Sequence, residues 1–241
     1  MATVRIYIFD SVVLPLVLAT IALRMAGPSA DPATLTSLTF GAAVMGMWAA
    51  ALSGTGGAIS RMRSMALLEP IVAAPTPLAA ALAANALASA SLGLYSLVAT
   101  VLWAKFGLKA PIEIASPALL VPAFVLTVVA TAALGVTLSV SLVMFRRAQS
   151  VSNLFEYPFW IFTGAMVPIT LLPAWFDSVS WFIGPAWGMK AIRSAAVGDA
   201  SAVGVALLAG FAVTAAYWTV SMLLLRSMER LARERAALPL S

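Results

Sequence analysis

The sequence predicts an all-α integral membrane protein with six transmembrane helices, and three observations carry that prediction. The 241-residue chain is 62% hydrophobic and only 10% charged, whereas soluble domains are about half apolar and about a quarter charged. Its mean hydropathy is +1.02. Its apolar runs repeatedly reach the roughly 20 residues that cross a bilayer as a helix. Short polar loops join the runs, so residues 1–241 read as one transmembrane domain with no separate soluble part.

The first run, about residues 6–25, ends at the turn GPSADP. Its leader is barely charged and no A-x-A-like site closes it, which fits an uncleaved span rather than a signal peptide. The second run covers about 38–59 and the third about 78–103, ending in AKFGLKAP. The fourth, about 117–145, is long enough to tilt. The fifth begins near Val151 and should reach the opposite face by about Leu172. Residues 173–193 then stay apolar and aromatic, with Trp175, Trp181 and Trp187. That length is too short for a full return crossing, and tryptophans collect at membrane interfaces. The segment therefore predicts a shallow re-entrant hairpin on the outer side, its backbone satisfied by protein or water. The last run, about 202–225, continues as a helix into the charged tail 226–241, where Glu229 and Arg233 form an i,i+4 pair and Pro239 ends the helix. Such a tail fits anchoring on anionic headgroups.

Lysine and arginine set the orientation. With the N-terminus inside, the inner segments hold Arg5, Arg61, Arg63, Arg146, Arg147, Arg226, Arg230, Arg233 and Arg235. The outer ones hold Arg24, Lys105, Lys109, Lys190 and Arg193. The bias places both termini in the cytoplasm of a multi-pass inner-membrane protein. The net charge of +5 comes mainly from these span-end residues and does not imply nucleic-acid binding.

The chain has no cysteine and no histidine. That excludes disulfides, thiolate nucleophiles, the usual zinc ligand sets and Ser-His-Asp chemistry. The acids are scattered singly, so neither catalytic nor metal-binding residues are assigned. SGTGGAIS, residues 53–60, has glycines but lacks the lysine and preceding strand of a phosphate loop; any dependence on ATP must come from a partner. Two stripes of small or polar residues recur at every fourth position: Ala81, Asn85, Ser89 and Gly93, then Thr127, Thr131, Gly135 and Ser139. They read either as close helix contacts or as the lining of a path. Asp10 and Glu156 are membrane-edge acids, read either as interfacial ion pairs or as functional groups.

SMALLEPIVAAPTP, residues 64–77, lies between the second and third runs and is dense in breakers. Within it LLEPIVAAP, residues 67–75, resembles the TLEPLLAAP-like signature of ABC-2 type permeases, the membrane subunits of a class of ABC exporters. Ala66 and Leu67 stand where the family often has Gly-Thr. The second half of the chain agrees in register, with Gly164, Pro168, Pro173, Trp175, Pro185 and Arg193 following the family's Gly turn, prolines, LP-W and closing arginine.

The resemblance implies that residues 61–76 form a cytoplasmic coupling helix docking on a separate ATPase. Arg61, Arg63, Leu68, Glu69, Pro70 and Pro75 are its candidate contacts and boundaries. Proline is tolerated in a first helical turn, and Glu69 near the helix N-terminus can pair with a basic group on the partner. Glu156, Tyr157, Trp160, Gly164 and Pro168 are candidates for the translocation path or the interface between permeases. Pro173, Trp175, Pro185 and Arg193 belong to the outer hairpin. The implied assembly has two ATPase subunits, which carry ATP and magnesium, and two permeases, identical or paralogous, in a lipid membrane. This chain would bind no cofactor of its own. The implied activity is export of an amphipathic or hydrophobic substrate, as in multidrug efflux. The alternative is a six-span proton-coupled secondary transporter or channel using Asp10 and Glu156; the two halves show none of the inverted repetition such folds carry.

Overall fold

The computed structural model describes residues 13–27, 30–51, 78–142, 156–167, 169 and 172–237. Among these residues every regular element is helical: α1 (Leu14–Ala26), α2 (Pro32–Ala51), α3 (Leu78–Leu102) with a π-helical turn over Trp103–Gly107, α4 (Pro117–Leu142), α5 (Glu156–Phe162), α6 (Ala174–Ser180), α7 (Gly184–Val197) and α8 (Ala200–Ala237). Apolar sequence in lipid must satisfy its backbone internally, and helices do so without partners. Stretches within α2, α3, α4 and α8 are long and apolar enough to span a bilayer, whereas α1 is a shorter apolar helix over its described residues.

Polar residues mark where helices begin and end. Asp31 caps α2, accepting the Thr34 amide at 3.0 Å and the Thr34 hydroxyl at 2.7 Å. Asp199 does the same for α8 through the Ala202 amide and the Ser201 hydroxyl. These bonds lower both carboxyl pKa values, the Thr34 hydroxyl being the largest cause for Asp31 and the Ala202 amide for Asp199. Gly198, at φ 88°, closes α7 in the left-handed region with its amide on the Ser194 and Ala195 carbonyls, a conformation glycine reaches without strain. Hydroxyls inside helices return to their own backbone: Thr39 to Leu35, Thr100 to Ser96, Thr127 to Ala123 and Thr163 to Phe159.

The α2 helix is the central post. From Thr39 to Ala51 every residue is buried, consistent with a helix that is apolar all round. It packs on α1, α3 and α7, while α4 packs on α3, α7 and α8. One core joins Phe40, Val44 and Trp48 of α2 with Phe159, Trp160, Trp187 and Ile192. A second joins Met47, Ala86, Ala90, Val136 and Leu225. One member of each small-residue stripe is seen in these contacts. Gly93 faces Met47, and Thr127, fully buried, faces Gly188. In this structure those positions are helix contacts, which is how small residues let helices approach in lipid.

Three features depart from the sequence expectation. The second span begins at Pro32, not near Leu38, because Asp31 supplies a cap there. The fifth run is not one helix to Leu172: α5 ends at Phe162, and the chain turns through Gly164 at φ 70°. The hairpin is deeper than expected, because α7 packs alongside α4.

Candidate functional site

Helices α6 and α7 form the two arms of the hairpin, and α7 enters the bundle instead of lying on it. Its N-terminal Gly184 faces Ala130 and Thr214, Gly188 faces Thr127, and Gly198 faces Ala115. These pairings run α7 antiparallel to α4, from the middle of α4 to its beginning. At about 1.5 Å per residue the 14 residues of α7 span about 20 Å, against a hydrocarbon core about 30 Å thick. The bend at Trp181–Ile183 thus stands about halfway along α4 and α8. Gly188 permits the approach, since a Cβ there would lie 3.0 Å from the Thr127 Cα.

A bend at that depth exposes carbonyls that helical bonding cannot satisfy. Side chains supply the donors. The Ser180 hydroxyl donates to the Phe162 carbonyl, Trp187 Nε1 to the Trp181 carbonyl at 3.0 Å, and the Tyr217 hydroxyl of α8 to the Phe182 carbonyl at 2.9 Å. Across the arms, Lys190 Nζ pairs with Asp177 Oδ1 at 3.0 Å and lies 4.7 Å from the centre of the Trp187 ring. Near the other end, the Ala115 amide donates to the Ala196 carbonyl.

Arg193 ties the hairpin to its surroundings. Its Nε donates to the Ser37 hydroxyl of α2 at 2.8 Å, and its Nη2 donates to the Gly164 carbonyl at 2.5 Å. One planar guanidinium thereby joins α7, α2 and the turn after α5. Gly164 is suited to this turn: its φ is positive, and a Cβ would press on Ile169 and on Arg193 Nη1.

On the opposite side of that turn, α1, α2 and residues 165–167 bound an apolar groove of about 410 Å³. Leu18, Ile21, Met25, Leu38 and Met45 line it with Trp160 and Met166. Trp160 is buried at its edge, and Trp160 Nε1 has no hydrogen-bond partner among the described residues. Gly41 of α2 packs against the Ala165 carbonyl, where a Cβ would not fit.

The sequence candidates therefore divide. Gly164 and Arg193 are brought into contact. Trp160 and Tyr157 meet edge to face on α5, with Trp160 inward and Tyr157 68% exposed. Glu156 begins α5. Pro173 precedes α6, on which Trp175 stacks against Phe176, and Pro185 is buried in the first turn of α7. Arg61, Arg63, Leu68, Glu69, Pro70, Pro75, Pro168 and Asp10 lie outside the described residues. Sequence reasoning missed Ser37, Tyr217 and the Trp48–Phe159 stack, whose rings are 3.5 Å apart. Tyr217 alone carried a signal, as a phenol within an otherwise apolar run.

Comparison with known families gives one finding: the family model described as ABC-2 type transporter matches residues 2–197. No curated protein matches the chain.

Proposed function

The chain belongs to the ABC-2 type transporter family, and on that premise we propose that it is the permease subunit of an ATP-driven exporter. The family makes it a multi-pass membrane component of an ABC-type transporter. The finer reading is ours: two permeases work with two cytoplasmic ATPase subunits, which bind ATP and magnesium, and move an amphipathic or hydrophobic substrate out across the inner membrane. The observation that supports it is the apolar groove between α1, α2 and the turn after α5. The groove would give a second permease an apolar surface to pack on, with the turn after α5 at its edge. Substrate would meet this face near Trp160, whose indole N–H has no acceptor among the described residues.

ATPase closure would reach the groove through residues 61–76, with Leu68 and Glu69 as the contact pair. The test uses the permease reconstituted with its ATPase. Leu68→Ala and Glu69→Ala should each reduce permease-stimulated ATP hydrolysis and export by about tenfold, as loss of an interface anchor does. Trp160→Ala should reduce export while leaving ATPase binding intact. Unchanged stimulated hydrolysis and export in both coupling variants would refute the assignment of residues 61–76.

A further inference from the structure

A cavity of about 540 Å³ opens between α7 and the first turns of α8, on the face away from the groove. Its polar lining is Lys190, Arg193, Ser194 and Ser201, and Trp187 and Val205 contribute apolar walls. Among the described residues no carboxylate lines it. Of the acids near it among the described residues, Asp177 accepts from Lys190 at 3.0 Å, Asp199 accepts from the Ser201 hydroxyl and the Ala202 amide as the cap of α8, and Glu113 lines a separate cavity on the α2 side of Arg193. Arg193 differs. Both its acceptors, Ser37 Oγ and the Gly164 carbonyl, are neutral. Among the described residues no carboxylate lies within ion-pair distance of it. A half-buried guanidinium whose charge is solvated but not cancelled is a standing attraction for an anion, and its planar fork suits phosphate oxygens.

The apolar surface continuing from this cavity argues about the rest of the ligand. Val205, Leu208 and Phe211 follow one another at three-residue spacing along α8 and are 64%, 76% and 70% exposed. Three-residue spacing keeps them on one side of the helix, so an apolar strip leads from the cationic cavity towards the middle of the span. In a bilayer lipid tails meet this strip, so a soluble phosphate compound would account for the cavity alone. An amphiphile covers both.

We propose that this cavity holds the phosphate of an anionic amphiphile with a lipid-like tail. Arg193 and Lys190 face the phosphate oxygens, Ser194 and Ser201 donate hydroxyl hydrogen bonds, and the tail lies along Val205, Leu208 and Phe211. Lys190 reaches the ligand by loosening its partly exposed pair with Asp177, a small cost for an ion pair open to solvent. A zwitterionic headgroup brings its own cation towards Lys190 and Arg193 and is disfavoured. The bound molecule need not be the exported cargo, so this site and the exporter reading fail separately.

The test is equilibrium lipid binding to the full-length protein in non-ionic detergent, followed by native mass spectrometry. The probes are phosphatidylglycerol, phosphatidylcholine and inorganic phosphate. Phosphatidylglycerol should bind about tenfold more tightly than phosphatidylcholine. Lys190→Gln should weaken it about threefold to tenfold, and Asp177→Asn, which frees Lys190, should tighten it. Because these two substitutions break the same ion pair and predict opposite shifts, a general loss of fold cannot imitate the result. Equal affinity for the two lipids, or unchanged binding in Lys190→Gln, overturns the proposal. Displacement of phosphatidylglycerol by inorganic phosphate at matched concentration overturns the amphiphile and leaves a plain anion site.

Discussion

Arg193→Ala removes both bonds by which α7 grips α2 and the turn after α5. A hydrogen bond with a charged partner contributes about 1.5–3 kcal/mol, giving an upper limit of about 6 kcal/mol for the two. Arg193 is half-buried, so water replaces part of what is lost, and the expected destabilisation is about 2–4 kcal/mol. For a chain of this size each kcal/mol moves the melting temperature by about 2–4 °C. Scanning fluorimetry of the protein in nanodiscs should show a fall of about 4–16 °C. Arg193→Lys keeps the charge but not the fork and should lose about half as much. Hydrogen exchange supplies the local readout: amides of residues 163–167 should exchange faster in the alanine variant, while those in the middle of α4 stay protected. A melting temperature within about 1 °C of the parent in Arg193→Ala, or complete rescue by lysine, would refute the tie.

Three further outcomes follow from the same geometry. Gly188→Ala places a Cβ against Thr127 and should cost about 1–3 kcal/mol by thermal melting; Thr127→Ala in the same chain should recover only part of it, because the Thr127 Cα also crowds the site. Tyr217→Phe removes the donor to the Phe182 carbonyl and should cost about 1 kcal/mol, with faster amide exchange confined to the bend. Asp31 and Asp199 have folded pKa values lowered below the ordinary 3.8. Their capping stability is therefore complete above the unfolded pKa and is lost as pH falls through the lowered folded one. Melting of the parent should weaken below about pH 4, and the double variant Asp31→Asn, Asp199→Asn, which keeps cap acceptors but cannot titrate, should flatten that dependence.

Run length and composition made the helical, membrane-embedded character legible, because lipid admits few alternatives. They also located α4 and the continuous α8 to within a few residues. The break after α5 had its signal in Gly164, but a uniformly apolar run hid it: hydropathy records transfer into lipid and carries no information about a turn satisfied inside the protein. The depth of the hairpin was misread for a related reason. Its tryptophans resemble an interfacial belt, yet what draws α7 inward is the fit of Gly184 and Gly188 against Ala130 and Thr127, a property of pairs distant in sequence. Arg193 stood out as a motif residue, but Ser37 is one hydroxyl in the run TLTS and lies 156 residues away. Nothing local distinguishes it.

The half-length α7 also constrains how the protein is made. The Phe182 carbonyl at its bend takes its donor from Tyr217 of α8, a residue synthesised after the hairpin. Until α8 is in place, seating α7 beside α4 would strand that carbonyl in a medium without water, at a cost of several kcal/mol. A hairpin that stays near the surface until α8 is in place avoids that cost. Once seated, α7 is held by the packing of Trp187, Met189 and Ile192 in the core as well as by these side-chain donors and one guanidinium.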